Sequence, residues 1–270
     1  MVIFFELALT LYMISMILGV IEIIRGSRYT SLGMLFTALI GFILHSINII
    51  YRLILAGHMP AVSVHEATSL FSWSIVFIFI LIKYKYKIGL LGSFVMPWVF
   101  AFMLVSSTFP RELVPLTPEL RSFWLIIHSM LAFLSYASFG LACGVGVMFL
   151  LQYSFVKTRH LGGLFRRLPD LNMLDEVNYR LITIGFPLLT LAIISGMLWS
   201  ENAWGSYWLW QPKQVWSLIS WIIYAMIIHL RLKIGWRGKR GAILSILGYA
   251  VTLFTFFGVD LLLKGIHTFP

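Results

Sequence analysis

The sequence has few charged residues, and acidic residues are the scarcer kind. Asp, Glu, Lys and Arg together make up 11% of the 270 residues, whereas soluble domains carry roughly 25%. Apolar residues, counted with Tyr and Cys, reach 60%. A soluble enzyme and a disordered chain both need more polar residues than this, and a disulfide scaffold needs more cysteine. The composition therefore predicts a polytopic membrane protein.

Cysteine occurs only once, as Cys143 within the apolar run 141–145. A single cysteine forms no internal disulfide, no CxxC redox pair and no thiolate metal cluster. We interpret Cys143 as a small buried residue. Any thiol chemistry at this protein must therefore come from a partner.

Long apolar runs dominate the sequence. An α-helix needs about 20 apolar residues to cross the hydrocarbon core of a bilayer. The candidate runs are 2–24, 31–55, 67–82, 88–108, 123–152, 177–198, 215–232 and 241–263. The first run carries Glu6 and lacks a basic leader and a cleavage site, so we expect a retained helix rather than a signal peptide. No repeat or linker divides the chain, which predicts one all-α domain of about eight membrane helices over residues 1–270.

Basic residues outnumber acidic ones 20 to 10, and their distribution predicts an orientation. Fifteen flank one set of loops and five flank the other, so the positive-inside rule makes the first set cytoplasmic and places both termini on the outer side. The five on the outer side are Arg52, Arg111, Arg121, Lys213 and Lys264. This asymmetry explains the net charge of +10 without a nucleic-acid partner. On the cytoplasmic side, an amphipathic stretch within residues 157–176 predicts an interfacial helix.

Tryptophan is concentrated in one segment, residues 199–221, between the sixth and seventh runs. Six of the ten tryptophans lie there: Trp199, Trp204, Trp208, Trp210, Trp216 and Trp221. An interfacial aromatic belt, which is the alternative interpretation, distributes its tryptophans over many helix ends. A concentrated segment instead offers a wide, flat stacking surface, which suits a large planar apolar ligand.

This segment also resembles a known signature. The stretch reads Trp204-Gly205-Ser206-Tyr207-Trp208-Leu209-Trp210-Gln211-Pro212-Lys213. It is similar to the tryptophan-rich WWD signature of heme-handling membrane proteins, and within them to the CcsA subunit of system II cytochrome c synthases. Residues 57–60 with Glu66, and the runs 121–137, 217–229 and 257–267, resemble other parts of that family. The likeness covers nearly the whole chain.

The resemblance implies a heme b site and assigns roles to particular residues. It makes His128 and His267 external axial ligands of the heme iron, and two imidazoles can fill both axial positions. In the predicted topology both lie on the outer side, His128 about 7.5 Å into the fifth run. The implied platform comprises Trp204, Gly205, Tyr207, Trp208, Trp210, Gln211, Pro212, Lys213 and Trp216.

A second pair of histidines lies deeper in the predicted membrane. The resemblance makes His229 an intramembrane ligand, and it lies roughly 21 Å from the outer start of the seventh run. His45 lies about 15 Å deep in the second run. Because these depths are broadly comparable, His45 is our candidate for the second intramembrane ligand. A ligand from a partner subunit is the alternative.

The signature departs from the family pattern at two positions. Gln211 stands where the family has Asp, and Gln214 stands where it has Glu. An amide hydrogen-bonds but forms no ion pair with Lys213. The change is compatible with a closer approach of heme propionates and equally with a divergent paralogue.

The resemblance also implies a function. A CcsA-type protein of the cytoplasmic (inner) membrane takes heme from the cytoplasmic side and presents it on the outer face. There two thiols of an apocytochrome c form thioether bonds with the heme vinyl groups. A CcsB-type membrane subunit is expected as a partner, because this chain has no large outer domain. No catalytic acid or nucleophile is recognisable, so we expect this component of a cytochrome c synthase to act by positioning heme.

Two other function classes compete with this one. A HemX-like membrane regulator of heme biosynthesis shares the superfamily and the size, and the amides Gln211 and Gln214 favour it. A cytochrome b-type electron carrier places paired histidines on one helix, whereas here each candidate ligand lies on its own run. The second alternative is therefore disfavoured.

Overall fold

The computed structural model describes residues 2–112, 122–160 and 162–262. Helices account for nearly all of these residues, and no strand occurs among them. The α-helices are α1 (Val2–Arg25), α2 (Arg28–Ala56), α3 (Val64–Tyr86), α4 (Leu91–Ser107), α5 (Phe123–Lys157), α6 (Leu171–Trp204), α7 (Pro212–His229), α8 (Lys239–Leu253) and the short α9 (Val259–Leu262). A 3₁₀-helix covers Gly163–Arg166, and π-helical turns cover Leu230–Ile234 and Phe254–Gly258.

Each of the eight apolar runs forms a helix. Seven helical segments are long and apolar enough to cross a membrane, and α4, with 17 residues, is the shorter eighth. The prediction of an all-α bundle of about eight membrane helices is therefore confirmed. The side of the membrane on which the termini lie stays a prediction.

The connection between α5 and α6 differs from its prediction. α5 continues to Lys157, and after the 3₁₀-helix α6 already begins at Leu171. The carboxylate of Asp170 caps α6 by accepting the Met173 N–H at 2.9 Å. Because this cap starts the helix early, the amphipathic residues 171–176 form the first turns of α6. Within the predicted range 157–176, the separate helix is therefore the 3₁₀-helix Gly163–Arg166 alone, and residues 171–176 belong to α6.

The helices pack as two halves, α1–α4 and α5–α8, joined mainly where α3 packs against α5. Glycines allow close contacts in both halves, as is common between membrane helices. A Cβ on Gly41 would lie 2.8 Å from the Tyr12 ring. A Cβ on Gly185 would lie 2.6 Å from the Phe139 ring, which stacks on Tyr224 with a centroid distance of 3.4 Å.

Successive helices run antiparallel, so the bundle has two chemically different ends. The aromatic end carries the turn between α6 and α7 with residues 205–211, and the basic end carries the turn between α7 and α8 with residues 230–238. Two ion pairs fasten the aromatic end of the first half. Arg52 bonds Glu66 at 2.8 Å with both side chains almost fully buried, and Arg111 bonds Glu6 at 2.5 Å.

Candidate functional site

The tryptophan-rich turn at the aromatic end is built by backbone caps. Gly205 ends α6 in the left-handed conformation, with φ of 69°, where a residue without Cβ is favoured. Pro212 begins α7, a position at which its fixed φ suits the helix and its missing N–H costs nothing. Between them Trp210 also has a positive φ, 55°, which an L-residue seldom adopts. The turn is therefore held in a specific shape by its surroundings.

The amide of Gln214 closes this turn. Its Oε1 accepts the Leu209 N–H at 3.0 Å and the Gln211 N–H at 3.2 Å. Gln214 is the third residue of α7, and Gln211 caps that helix. A carboxylate oxygen accepts the same two N–H groups, so Glu and Gln can fold the turn alike. The departure at position 214 therefore changes charge while keeping this backbone geometry available.

The tryptophans of the turn pack in edge-to-face pairs. Trp199 and Trp204 lie 5.1 Å apart with 61° between their planes, and Trp208 and Trp210 lie 5.9 Å apart with 82° between theirs. Such rings present separate faces and edges rather than the single flat surface expected from the sequence. Trp210 is 74% exposed and Tyr207 is 52% exposed. A planar ligand can therefore reach individual ring faces of the segment.

The two remaining tryptophans anchor α7 to its neighbours. The Trp216 ring packs against the Phe254 ring with a centroid distance of 4.4 Å, and Phe254 begins the π-helical turn after α8. The Trp221 indole donates to Thr190 Oγ1 of α6 at 2.9 Å. These contacts fix the end of α7 that bears the turn. Trp221 therefore stabilises the bundle, while Trp216 joins the platform to the π-helical turn after α8.

One polar atom of the platform lacks a partner. The indole nitrogen of Trp208 is buried, and no acceptor for its N–H lies among the described residues. A buried donor of this kind ordinarily costs about 1–3 kcal/mol. A ligand with acceptor groups, such as a heme with its carboxylates, would satisfy it. The residues present therefore fit the group that the resemblance implies.

His128 lies on α5 beside this segment, in a defined orientation. Its Nδ1 lies 2.8 Å from the carbonyl oxygen of Ala192 on α6, and its ring lies against Trp199 with a centroid distance of 6.0 Å and an angle of 27°. A carbonyl oxygen only accepts, so Nδ1 carries the proton and the neutral ring has its lone pair on Nε2. Nε2 has no hydrogen-bond partner within the described ranges. The imidazole is thus oriented as metal-ligating histidines usually are.

Room for the His128 ring comes from a glycine that the sequence did not single out. A Cβ on Gly196 would lie 2.7 Å from Nδ1 of His128. Gly196 lies one helical turn beyond Ala192, so both residues face α5. The available signal was a lone glycine inside an apolar helix, which often marks a close approach.

His229 ends α7 close to the basic end and is exposed on the surface of the bundle. Its side chain makes no hydrogen bond to any residue that the structure describes. α7 packs against α6 and α8, and His229 faces neither of them. Exposing a histidine to lipid is energetically costly, and for that reason such residues usually have a function.

His45 has a different setting within the first half. It is fully buried, its Nε2 lies 2.8 Å from Ser69 Oγ, and its Nδ1 lies 3.4 Å from the Tyr12 hydroxyl. α2 packs against α1 and α3, whereas α7 packs against α6 and α8. Neither α1, α2 nor α3 is thus among the main packing partners of α7.

The other histidines divide into buried and unassigned ones. His58 and His65 are buried, and Nδ1 of His65 lies 2.8 Å from the Ser106 carbonyl oxygen. His160 is exposed. His267, the other external ligand implied by the resemblance, lies outside the described residues. Among those residues no group of three His, Cys, Asp or Glu side chains could hold a metal ion.

Comparison with known proteins connects these features to a family. The family model for cytochrome c assembly proteins matches residues 35–267. The cytochrome c biogenesis protein CcsA of Chlamydomonas reinhardtii is 34% identical over 223 residues, covering 79% of this chain and 62% of that protein. The CcsA of Prochlorococcus marinus is 34% identical over 254 residues, covering 84% of this chain and 80% of that protein. The CcsA of Mesostigma viride is 32% identical over 265 residues, covering 89% and 86%.

A solved structure shares the fold. The cytochrome c heme lyase CcmF superposes with a TM-score of 0.70 at 16% identity, covering 94% of this chain and 45% of that one. At that identity the likeness concerns the helical architecture alone. The chain thus spans under half of CcmF and less than two thirds of the Chlamydomonas relative.

Proposed function

This chain belongs to the cytochrome c assembly protein family, and from that premise we propose that it binds heme b and presents it for attachment to apocytochrome c. The protein is a multi-pass integral membrane protein with a role in cytochrome c maturation. The proposal adds the cargo, the ligands and the cytoplasmic membrane as its location. The aromatic end is the presenting side, and it faces outward in the predicted topology.

One observation carries the proposal. His128 donates through Nδ1 to Ala192, and its Nε2 has no hydrogen-bond partner among the described residues, next to Trp199. In this tautomer the lone pair on Nε2 is available to coordinate iron. In the proposed site, His128 and His267 are the axial ligands. The exposed rings of Tyr207 and Trp210 contact the porphyrin, and Trp208 donates its buried N–H.

The residues of the site act by binding and orientation. Axial ligation by two histidines would fix the position of the iron, and the aromatic segment would fix the plane of the porphyrin. Each vinyl group then forms a carbon–sulfur bond with a cytochrome cysteine, while the thiol proton goes to the neighbouring vinyl carbon. Those thiols come from the apocytochrome, because the single cysteine of this chain is buried within α5.

His229 is the proposed ligand of an intramembrane site. Its second ligand has two candidates, His45 and a histidine of a partner chain. Both ring nitrogens of His45 are within hydrogen-bond distance of Tyr12 and Ser69, on helices remote from α7. The outward exposure of His229 supports a ligand from a CcsB-type partner subunit that covers α7.

The test is a spectrum of the purified full-length protein with its partner. We expect bound heme in the wild type. In His128→Ala and His267→Ala we expect a smaller amount of bound heme or an altered spectrum. His160→Ala is the matched control, because this histidine is exposed near the basic end and is expected to leave the spectrum unchanged. Unchanged heme content and spectrum in both site variants would contradict the external-ligand assignment.

A HemX-like regulator of heme biosynthesis is the second candidate function, and the amides at 211 and 214 are the observation that favours it. Deletion of the gene that encodes this chain, followed by measurement of total heme and of heme bound covalently to c-type cytochromes, distinguishes the two functions. Loss of covalently bound heme from c-type cytochromes, with normal total heme, supports the maturation role. A changed level of total heme with normal cytochrome c supports the regulator.

A further inference from the structure

A partly buried ion pair joins α6 to the turn that follows α7, near the exposed His229. Asp175, in the second turn of α6, binds Arg231 through two bonds of 2.8 Å, one from each terminal guanidinium nitrogen to a separate carboxylate oxygen. The side chains are 16% and 10% exposed, respectively. This bidentate geometry restricts both distance and orientation, which a single contact does not.

Two further contacts lock this pair in place. The Gly238 N–H, at the start of α8, donates to Asp175 Oδ1 at 2.8 Å. The Arg231 guanidinium also lies 4.3 Å from the centre of the Tyr179 ring, within the range of a cation–π contact. Asp175 thus connects α6, the turn after α7 and α8. An arrangement with three anchors holds the backbone of the turn as well as the arginine.

The turn itself has unusual geometry. Directly after His229 the helix continues as a π-helical turn, Leu230–Ile234, and ends at Gly235 with φ of 76°. π-helical turns are rare and occur frequently at functional sites. Arg231 lies inside this turn, so its bonds to Asp175 connect the turn to α6.

Helix geometry links Arg231 to the direction of His229. Residues two apart lie on roughly opposite sides of an α-helix and of the wider π-helical turn. Arg231 points inward to α6, so His229 must point away from α6, in agreement with its exposure. Ile227 is buried, and Ile228 also packs against the core. The ion pair adds a contact with α6 beyond these two residues, and it restrains the rotation of the helix end that carries His229.

We propose that the Asp175–Arg231 pair is a positioning device for His229, holding the imidazole outward towards a ligand shared with a partner chain. The inference rests on the proposed function, since it takes His229 to be a heme ligand. Asp175 and Arg231 act through backbone rotation and do not contact the ligand themselves. Outer groups that orient metal-ligating histidines typically change affinity about 10–100-fold when removed.

The experiment compares neighbouring acids at the same helix end. Asp175→Asn removes the charge of the pair and weakens its bidentate bond, and we expect heme retained at the His229 site to fall about tenfold. Glu176→Gln is the matched control, because Glu176 bonds the exposed Arg180 within α6 and is expected to leave heme unchanged. Arg231→Lys keeps the charge but loses the fork and is expected to fall between the two.

A second readout does not depend on heme. A nitroxide spin label is attached to a cysteine introduced by His229→Cys, after Cys143→Ser has removed the single native cysteine. Collisions of the nitroxide with dissolved oxygen then report how far position 229 contacts the lipid phase. We expect high oxygen access in the otherwise native chain and after Glu176→Gln, and reduced access after Asp175→Asn. Arg231→Lys provides the same measurement should Asp175→Asn fail to fold.

The outcomes separate the two ideas. If His229→Ala leaves the heme spectrum of the complex unchanged, His229 is no ligand and the proposed intramembrane site fails, while the nitroxide still measures rotation. Suppose instead that His229→Ala alters the spectrum. If Asp175→Asn and Arg231→Lys then fold but show the same heme content and oxygen access as the control Glu176→Gln, the positioning role is overturned. A smaller amount of bound heme in Asp175→Asn, together with changed oxygen access at position 229, supports the positioning role.

Discussion

The surroundings of His45 and of His128 differ in what they leave available on the imidazole ring. In the first half of the bundle, His45 is enclosed by α1 and α3, with a hydroxyl within reach of each ring nitrogen. In the second half, His128 is bonded at Nδ1 to Ala192, and its Nε2 has no hydrogen-bond partner among the described residues. Both residues lie inside apolar helices. Burial inside a membrane helix therefore does not by itself indicate a metal ligand.

The difference arises from the groups that the neighbouring helix supplies. α3 offers a serine hydroxyl to His45, and a hydroxyl can either donate or accept. α6 offers a backbone carbonyl to His128, which fixes the tautomer, and Gly196, which gives the ring room. Ligation of iron needs an available lone pair in a fixed direction. Only the second arrangement supplies both without displacing a hydrogen-bond partner.

The largest expected effect comes from replacing each of these histidines by glutamine, which hydrogen-bonds but is a poor ligand of heme iron. His128→Gln is expected to lose the heme of the external site, because the axial nitrogen is gone. His45→Gln is expected to keep heme and to retain stability better than His45→Ala. Loss of the buried partner in the alanine variant should cost about 1–3 kcal/mol.

Heme spectra and thermal unfolding of the full-length protein measure the two effects separately. If His45→Gln folds normally but loses an intramembrane heme signal, His45 is a ligand and the contrast between the two settings is broken. If His128→Gln keeps a native spectrum, the contrast has no functional meaning.

A smaller effect is expected from Gly196→Ala. The added Cβ would lie 2.7 Å from Nδ1 of His128, so the ring must move and its bond to Ala192 must weaken. We expect heme retention to fall about tenfold, as for other losses of ligand orientation, with little change in folding. Gly144→Ala on α5 is the control, since a Cβ there has no heavy atom within 4 Å. Equal heme retention in the two variants would argue against orientation of His128 by α6.

The smallest effects are expected at the cap of the tryptophan-rich turn. Gln214→Ala removes the acceptor for two N–H groups and should cost about 1 kcal/mol, as other cap deletions do. Gln214→Glu keeps an acceptor, and Gln211→Asp keeps a capping side chain at the start of α7, so both are expected to be nearly neutral for stability. Thermal unfolding checks these values. A large gain in heme retention on restoring either acid would show instead that the charge of the platform matters.

Local chemistry was enough to predict much of the fold. α5 begins at residue 123 as expected. The predicted run 177–198 lies within α6, but the capped first turns of α6 fall in the range 157–176, where a separate helix was expected. The aromatic segment was located from composition alone, and its likeness to the WWD signature supplied the family. Hydrocarbon length and turn residues act on contiguous sequence, which is why these features could be predicted.

The site could be predicted only in part. His128 was singled out, but its hydrogen bond to Ala192 and the space left by Gly196 depend on how α6 packs against α5. Likewise Asp175 and Arg231 are 56 residues apart in sequence, and nothing local relates them. The ring angles within the tryptophan segment also depend on the folded turn, so a flat surface was expected where edge-to-face pairs occur.

The sequence by itself determined that this protein lies in a membrane, how many helices cross it and where its aromatic segment lies, because these properties follow from runs of adjacent residues and their transfer from water. Tertiary structure alone decided which histidine keeps an available nitrogen and which is enclosed by hydroxyls. It also decided that His229 points out of the bundle. These features depend on rotation and contact between helices distant in sequence, and the hydrophobic pattern leaves that rotation open.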